Sequence, residues 1–229
     1  MPTTIWRPGT DAGTYGDSYI NQGNPTQNVG AAGSVFISIA SGNETRMLFK
    51  LDLTSSNGLI SGAAIPANAT ITDAKLRLVC SSAVGGGVTC NVHRVTETWV
   101  EGTGTSIAPD ATNGVSWTRR GNSGVNWETA GGDYEPTPIA SFTLPTGSGA
   151  VEIDITDAVQ DAINRDGLLS LIFLLAEASG TVVIGFRARE YTTDESDRPT
   201  YTVEWEEPAG EEPAGGASRI KNLLKLGVI

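Results

Sequence analysis

The stretch Met-Leu-Phe-Lys-Leu-Asp-Leu at residues 47–53 alternates apolar and charged side chains. In an extended chain, Met47, Phe49, Leu51 and Leu53 share one face, and the two charged side chains lie on the other. A period of two over this length is typical of a β-strand with one buried face. The stretch therefore predicts a chain built from strands that cover a common core.

The same period recurs in segments that are separated by Gly, Asn, Pro and Ser. These segments span residues 35–40, 47–53, 74–80, 88–95, 139–144, 151–155, 168–175, 181–187 and 200–205. Residues 168–175 are almost wholly apolar, so we expect them at the centre of a sheet. The pattern predicts an all-β fold, namely a two-sheet antiparallel β-sandwich of the jelly-roll type with about ten strands.

One segment departs from the period of two and has helical spacing. Val159, Ala162 and Ile163 form an apolar stripe. Thr156 is expected to cap the helix, and Asp157 lies favourably in its first turn. Residues 164–167 end the helix, so the sequence predicts one short helix within the sandwich.

The sequence divides into three parts: a β-sandwich domain at residues 1–205, an acidic linker at 206–217 and an amphipathic peptide at 218–229. The linker contains Glu-Glu-Pro-Ala-Gly twice in succession. Proline and glycine oppose regular structure there, and the repelling glutamates favour an extended chain. We expect the linker to hold the peptide away from the domain.

The terminal peptide has the pattern of a helix of about two turns, with Ser218 as N-cap and Gly227 as its stop. A helix this short is marginal alone, so we expect it to form against a neighbouring protein or a copy of itself. The alternative is a disordered end or a cloning remnant. The residues expected to dock are Ile220, Leu223, Leu224, Val228 and Ile229.

The formal net charge of −11 argues against nucleic acid as a partner, because phosphate binding needs a basic face. The longest apolar run, residues 168–176, is too short to cross a bilayer, so no membrane insertion is expected. The first residues lack the basic and apolar regions of a signal peptide. We expect the protein to be made in the cytoplasm, and either to be kept there or to leave by lysis or within a particle.

The chain has two cysteines, Cys80 and Cys90, on either side of a glycine-rich turn. A symmetric hairpin would place them opposite each other, within reach of a disulfide. The alternative is two buried thiols that act as small apolar side chains, which suits a reducing compartment.

An ordered set of segments resembles the DNRLRE-domain family, which is related to disaggregatase-related and alginate-binding carbohydrate-binding modules. The set comprises DSYI at 17–20, NVG at 28–30, RMLFKLDL at 46–53, ATITDAKLRL at 69–78, VTETWVEG at 95–102, Trp117, Trp127, GGDY at 131–134, IDITDAV at 153–159, FRARE at 186–190 and RPTYTV at 198–203. The resemblance implies a non-catalytic β-sandwich that binds polysaccharide or serves as a structural unit of surface proteins.

This chain differs from the usual setting of that family, because it stands alone without a signal and carries the terminal peptide. In this respect it resembles a bacteriophage virion protein, such as a decoration, fibre or attachment subunit. The expected location is therefore the surface of a virion or an extracellular particle. We expect a structural or attachment subunit, and the alternative is a free module that recognises acidic polysaccharide.

Catalysis is not expected. His93 is the single histidine and lies in a predicted strand, which excludes a histidine-based zinc site. No glycine-rich phosphate loop and no Cys-x-x-Cys or His-Glu-x-x-His motif is present. Glu97 and Glu101 match the family pattern, and we expect them to bond Arg46 or Arg94 at a strand end.

The long segment at residues 102–138 holds the candidate sugar-binding side chains. Aromatic faces stack on sugar rings, and guanidinium groups bind uronate carboxylates. Alternatively, these side chains fold back to cover the sandwich. The candidates are Trp117, Arg119, Arg120, Trp127 and Tyr134.

Three acidic residues, Asp110, Asp133 and Asp154, are candidates for a structural calcium site. Glycine-rich loops offer carbonyl oxygens beside carboxylates, which are the ligands that calcium prefers. The spacing of an EF-hand is not present. The alternative is that these carboxylates are simply solvated, and no other cofactor is expected.

Overall fold

The computed structural model describes residues 1–7, 9, 15–40, 43–105, 113–122, 124–176 and 180–208. These ranges contain twelve strands, one α-helix and one short 3-10 helix (Glu195–Asp197). The elements are β1 (Thr3–Trp6), β2 (Tyr15–Asn21), β3 (Ser34–Ala40), β4 (Asn43–Asp52), β5 (Leu59–Ser61), β6 (Thr70–Val84), β7 (Thr89–Arg94), β8 (Ala140–Thr143), β9 (Gly149–Asp154), α1 (Thr156–Arg165), β10 (Leu168–Leu175), β11 (Val182–Arg187) and β12 (Thr200–Glu206).

The strands pair antiparallel in the order β5-β1-β12-β6-β11-β3-β4-β10-β7-β8, with β2 beside β4 and β9 beside β6. The sheet folds over itself into two layers, one with β1, β6, β9 and β12 and one with β2, β4, β7 and β10. Strands β3 and β11 join the layers. The predicted all-β antiparallel sandwich with one short helix is confirmed.

The main core lies between the two layers and receives alternate side chains of the strands. Phe49 of β4 meets Phe173 of β10 edge-on, with 5.3 Å between ring centroids. Leu76 of β6 and Tyr201 of β12 enter the same core from the other layer. Full burial of such a side chain contributes about 1.5–3 kcal/mol, so this alternation stabilises the fold.

The described residues between β7 and β8 (95–105, 113–122 and 124–139) form a further layer on the outer face of β4 and β10. Leu48 and Ile172 point away from the main core and form a second buried cluster with Trp99, Trp117 and Trp127. Strand β10 is thus buried on both faces and lies between β4 and β7. The predicted central position of residues 168–175 is confirmed.

The turn after β6 leads into the opposite layer instead of closing a hairpin. Strand β6 pairs with β9, β11 and β12, whereas β7 pairs with β8 and β10. At Gly85 the backbone has a φ of 68°, and a Cβ would lie 2.2 Å from the Thr181 carbonyl oxygen. Cys80 and Cys90 are free buried thiols, so the predicted hairpin is wrong and the buried-thiol interpretation is confirmed.

Helix α1 has the predicted stripe, since Val159, Ala162 and Ile163 are buried. The predicted cap is wrong, because Ile155 occupies the N-cap position without a side-chain bond. Thr156 is the first helical residue, and its hydroxyl accepts from the Ala74 amide at 3.0 Å. The hydroxyl thereby ties the helix to β6 instead of closing the helix end.

Candidate functional site

The two tryptophans that were predicted to stack on sugar point inward. Trp117 is 8% exposed and Trp127 is 5% exposed. The Arg46 guanidinium lies over the Trp117 ring at 4.8 Å, and the Trp127 indole N–H donates to the Ser116 carbonyl at 2.9 Å. Of the two alternatives, exposed rings or rings that cover the sandwich, the structure shows the second, because both rings pack in the buried cluster with Leu48.

The remaining sugar-binding candidates are also used in loop packing. Arg119 is buried and donates to the Thr26 carbonyl at 2.9 Å, while Arg120 donates to the Thr98 carbonyl at 3.1 Å. Tyr134 is partly buried, with the Arg46 guanidinium 5.6 Å from its ring centroid. A sugar-binding role for this set stays a prediction, and the structure places its members in the covering layer.

Two of the calcium candidates, Asp133 and Asp154, are not brought together and have separate partners. Asp133 accepts from the Glu128 and Thr129 amides at 2.8 Å each, which closes its own loop. Asp154 pairs with Lys75 at 2.9 Å, and the hydrogen bond from Lys75 lowers its pKa to about 2. Asp110 lies outside the described residues, as do the docking candidates Ile220, Leu223, Leu224, Val228 and Ile229.

A different group of carboxylates converges at one end of the sandwich. Asp17 of β2, Glu101 after β7 and Glu190 after β11 each place an oxygen within 4.8 Å of the other two. Asp17 is 3% exposed, and the Glu101 and Glu190 side chains are 11% and 14% exposed. Among the described residues this is the one group of three such ligands, and we call it the carboxylate cluster.

Arg189 holds the carboxylate cluster together. Its guanidinium binds both oxygens of Glu101, with 2.7 Å from Nε to Oε1, and pairs with Glu190 at 2.7 Å. Its backbone N–H donates to Asp17 at 2.8 Å, and Nη1 donates to the Gly9 carbonyl. The Asp17 amide in turn donates to Glu101 at 2.7 Å. Four chain segments are therefore joined through one buried arginine.

Burial sets the protonation of the cluster. Removal from water raises the pKa of Asp17, and the nearby carboxylates of Glu190 and Glu101 raise it further. Burial also raises the pKa of Glu101, and it raises the pKa of Glu190 to about 7. Burial lowers the pKa of Lys50, whose ammonium lies over the Trp99 ring.

The backbone around the cluster leaves no room for larger residues. Asn28 donates from Nδ2 to the carbonyls of Glu101 at 2.7 Å and Val115 at 2.8 Å. A Cβ on Gly30 would lie 2.1 Å from the Glu101 carbonyl oxygen. The segments that resemble the family therefore meet in space: DSYI, NVG, VTETWVEG and FRARE all reach this point. The expected partners of Glu101, Arg46 or Arg94, are wrong, because Arg189 takes that place.

The other residues named for that strand end have local partners. Arg46 pairs with Glu44 at 2.8 Å, and Arg94 pairs with Glu135 at 2.7 Å. Glu97 lies 3.5 Å from Arg120. His93 of β7 is buried, with Nδ1 2.8 Å from the Glu135 carbonyl oxygen and its ring edge-on to Tyr134.

An open cleft of about 520 Å³ lies beside the carboxylate cluster. Its lining includes Tyr15, Lys50, Val100, Glu101 and Glu190. All three clustered carboxylates are engaged by Arg189, and Glu190 pairs with it through Oε1. The Oε2 atom of Glu190 is buried and has no hydrogen-bond partner in the described part of the chain. Sequence reasoning did not select Asp17, Arg189 or Glu190 as a site, although the family resemblance included their segments.

No helix in the described ranges is both long and apolar enough to span a membrane. Comparison with protein-family models and with curated proteins finds no match to this chain.

Proposed function

We propose that the chain is a non-catalytic structural or attachment subunit of a larger assembly, held there by its C-terminal peptide. The observation that carries this proposal is the use of its reactive side chains for packing. Arg189 engages Asp17 and Glu101, and the loop aromatics Trp117 and Trp127 are buried. The body is therefore a β-sandwich whose end is held together by buried ion pairs and hydrogen bonds, which suits a structural subunit.

The three carboxylates of the cluster are poorly suited to glycoside hydrolysis. That reaction needs two carboxyl groups with separate roles as acid and as base or nucleophile. Glu101 is bound at both oxygens by Arg189, and Asp17 accepts from the Arg189 amide. Glu190 pairs with Arg189 through Oε1, and its Oε2 is the one buried carboxylate oxygen without a hydrogen-bond partner in the described residues. This arrangement supports a chain without catalytic activity.

The terminal sequence supports attachment. An apolar peptide with three positive charges follows two copies of an acidic Pro/Gly repeat on a chain of net charge −11. The described residues bury a core that includes side chains of β12, such as Tyr201 and Val203. By its resemblance to the DNRLRE-domain family and to phage subunits, we propose a virion or extracellular particle as the assembly.

The test removes residues 218–229 from a tagged chain in its source and compares sedimentation on a density gradient. We expect the full chain to sediment with high-mass particles and the truncated chain to stay at the top. Leu223→Ser with Leu224→Ser should act like the truncation, and Asn222→Ser is the matched control on the polar face. Truncated chains that sediment with the particles would contradict the proposal, provided the thermal unfolding of the body is unchanged.

The alternative function is a free module that binds acidic polysaccharide through Trp117, Arg119, Arg120, Trp127 and Tyr134. The inward packing of these side chains does not favour it. Saturable binding of a polyuronate that Trp127→Ala abolishes, with folding intact, would favour it over attachment.

A further inference from the structure

The sequence contains two Asn-Gly pairs, Asn57–Gly58 and Asn113–Gly114. Asparagine is a thermolabile residue, because the backbone nitrogen of the next residue attacks its side-chain carbonyl carbon. Glycine lacks a Cβ that would hinder this approach. The two pairs have the same chemistry in an unfolded chain, so a difference between them in the folded protein comes from the structure.

The first pair lies in the exposed turn between β4 and β5. The Leu59 amide donates to the Ser56 carbonyl at 3.4 Å, which places Asn57 and Gly58 at the two central positions of the turn. Gly58 has a φ of 71°, and a positive φ at the third residue of a turn favours glycine. A Cβ there would also lie 2.6 Å from the Tyr15 hydroxyl oxygen. The fold therefore requires glycine directly after Asn57.

Both reacting groups of the first pair are available. The Asn57 side chain is exposed, and within the described residues its amide group makes no hydrogen bond. The Gly58 N–H likewise has no acceptor in the described ranges, whereas the Gly58 carbonyl accepts from the Arg7 amide at 3.0 Å. The turn is thus held through the carbonyl of Gly58, and no described residue holds the nitrogen that must attack.

The second pair is held at both reacting groups. Asn113 Nδ2 donates to Thr103 Oγ1 at 2.7 Å. The Gly114 amide donates to Asn122 Oδ1 at 3.3 Å. The backbone is also closely packed, since a Cβ on Gly114 would lie 2.4 Å from the Gly102 Cα. Attack at Asn113 therefore requires a local opening in which both hydrogen bonds break and the backbone moves.

We propose that Asn57 is a site of self-modification, at which the folded chain converts asparagine to aspartate and isoaspartate while Asn113 is protected. The Gly58 nitrogen forms a bond to Asn57 Cγ, and the bond from Cγ to Nδ2 breaks. The proton of the Gly58 amide leaves with Nδ2 as ammonia. Water then opens the cyclic imide at either carbonyl, which gives aspartate or isoaspartate at position 57.

The modification alters the contact between this turn and β1. Each event adds a negative charge, and isoaspartate also lengthens the main chain by a methylene group. The turn is joined to β1 through the Arg7 amide and through Trp6 Nε1, which donates to the Ser55 carbonyl at 3.2 Å. A longer main chain at position 57 displaces these carbonyl acceptors. We therefore expect modified chains to hold β5 less firmly against β1.

The test incubates the purified full chain at mildly alkaline pH, both folded and in guanidinium chloride. Peptide mass spectrometry follows both pairs, and labelling by isoaspartyl methyltransferase identifies the isoaspartate product. In the folded chain we expect Asn57 to convert at least roughly tenfold faster than Asn113, the ratio that one firmly held hydrogen bond provides. In guanidinium chloride the two rates should become similar.

Two variants distinguish the sites. Asn57→Gln lengthens the side chain and disfavours ring closure, so the product at position 57 should disappear. Thr103→Ala combined with Asn122→Ala removes both acceptors of the second pair, and both side chains are exposed. We expect this double variant to raise the conversion rate of Asn113 several-fold and to leave that of Asn57 unchanged.

The effect on β1 has its own measurement. Chains modified at position 57 are separated by ion exchange and compared with unmodified chains by thermal unfolding. The midpoint should fall by about 2–4 °C, the shift expected when one hydrogen bond is lost from a chain of this size. An unchanged midpoint would contradict the expected weakening of the contact with β1.

Three results would overturn the proposed site. They are conversion of Asn113 at the same rate as Asn57 or faster in the folded chain, an Asn57 that converts only in guanidinium chloride, and a double variant whose Asn113 rate is unchanged. Truncation of residues 218–229 should leave both rates unchanged, so failure here leaves the attachment proposal standing.

Discussion

Arg189 determines how the end of the sandwich is held, since one guanidinium and one amide fix three buried carboxylates. Breaking a buried charge network by removing one partner leaves uncompensated charge in a dry site. The carboxylates come from segments far apart in the chain. The free energy of unfolding that is lost when Arg189 is removed therefore measures how much the cluster contributes to holding these segments together.

Arg189→Ala should lower the free energy of unfolding by roughly 3–5 kcal/mol, because it leaves buried carboxylates without their cationic partner. Urea unfolding followed by circular dichroism measures the change. Arg165→Ala is the control: its ion pair with Asp161 is at the surface of α1, and we expect a loss of less than about 1 kcal/mol. Equal losses in the two variants would count against a structural cluster.

The unfolding free energy should fall as pH rises through about 7, because burial raises the pKa of Glu190 above its unfolded value near 4.5. A carboxyl group with a raised folded pKa holds its proton more tightly in the folded state, so its stabilisation is complete below the unfolded pKa. That stabilisation is lost on ionisation. Glu190→Gln should flatten the slope between about pH 4.5 and 7, by up to about 1.4 kcal/mol per pH unit. An unchanged slope would refute this assignment.

Gly30→Ala should destabilise the chain by roughly 1–3 kcal/mol or more, since its Cβ would meet the Glu101 carbonyl oxygen at 2.1 Å. Gly147→Ala is the matched control, because nothing lies within 4 Å of its Cβ position. Midpoints of thermal unfolding distinguish the two. A tolerated Gly30→Ala would show that this close approach is not required.

At the scale of the elements, the loop layer between β7 and β8 accounts for the burial of Trp99, Trp117 and Trp127. All five tryptophans are buried, and none is more than 8% exposed. Leu48 and Ile172 on the outer face of the β4–β10 pair require a cover, and the loop supplies it.

Tryptophan emission should therefore be blue-shifted and poorly quenched by acrylamide, and a soluble polyuronate should leave it unchanged. The physical reason is that every indole lies in the protein interior. A steady-state titration, with a known polyuronate-binding protein as positive control, makes the measurement. A saturable change in emission would contradict this prediction and would indicate that polyuronate binds near a tryptophan.

Cys80 and Cys90 should react with a thiol reagent only after unfolding, and two thiols per chain should then be titrated. Both are buried in strands of different layers, and burial raises the pKa of Cys90. If no thiols react even in denaturant, the two cysteines form a disulfide. That result would contradict the placement of β6 and β7 in different layers.

Sequence periodicity predicted the strands that bury one face or both. Residues 168–175 match β10 at each end, because an apolar run needs no knowledge of its neighbours. Strand β2 was not predicted, since Asp17 and Ser18 are polar yet buried. Their burial depends on partners such as Arg189, 172 residues away, which a local pattern does not contain.

The carboxylate cluster was beyond sequence reasoning for the same reason. Asp17, Glu101 and Arg189 each lie within a segment of the family resemblance, but their pairing depends on how the layers close. For the tryptophans, the sequence left two possibilities open, an exposed sugar-binding surface or a layer that covers the sandwich. Only the packing distinguishes the two.

At the scale of the whole molecule, an acidic, self-contained sandwich is joined to a peptide of opposite character. The described residues bury a core of their own, and the peptide has the sequence pattern of a short amphipathic helix, which is marginal alone. Under the proposed attachment, the peptide would make the assembly contact and the body would form the exposed surface.

The most direct test of this division is a transplant. Residues 206–229 are fused to an unrelated monomeric fluorescent protein, and the fusion is expressed in the source beside a tagged chain of residues 1–208. Sedimentation of both on one density gradient is the measurement. We predict that the fusion sediments with the high-mass particles while residues 1–208 remain at the top. A fusion that stays at the top while residues 1–208 sediment with the particles would contradict the central claim.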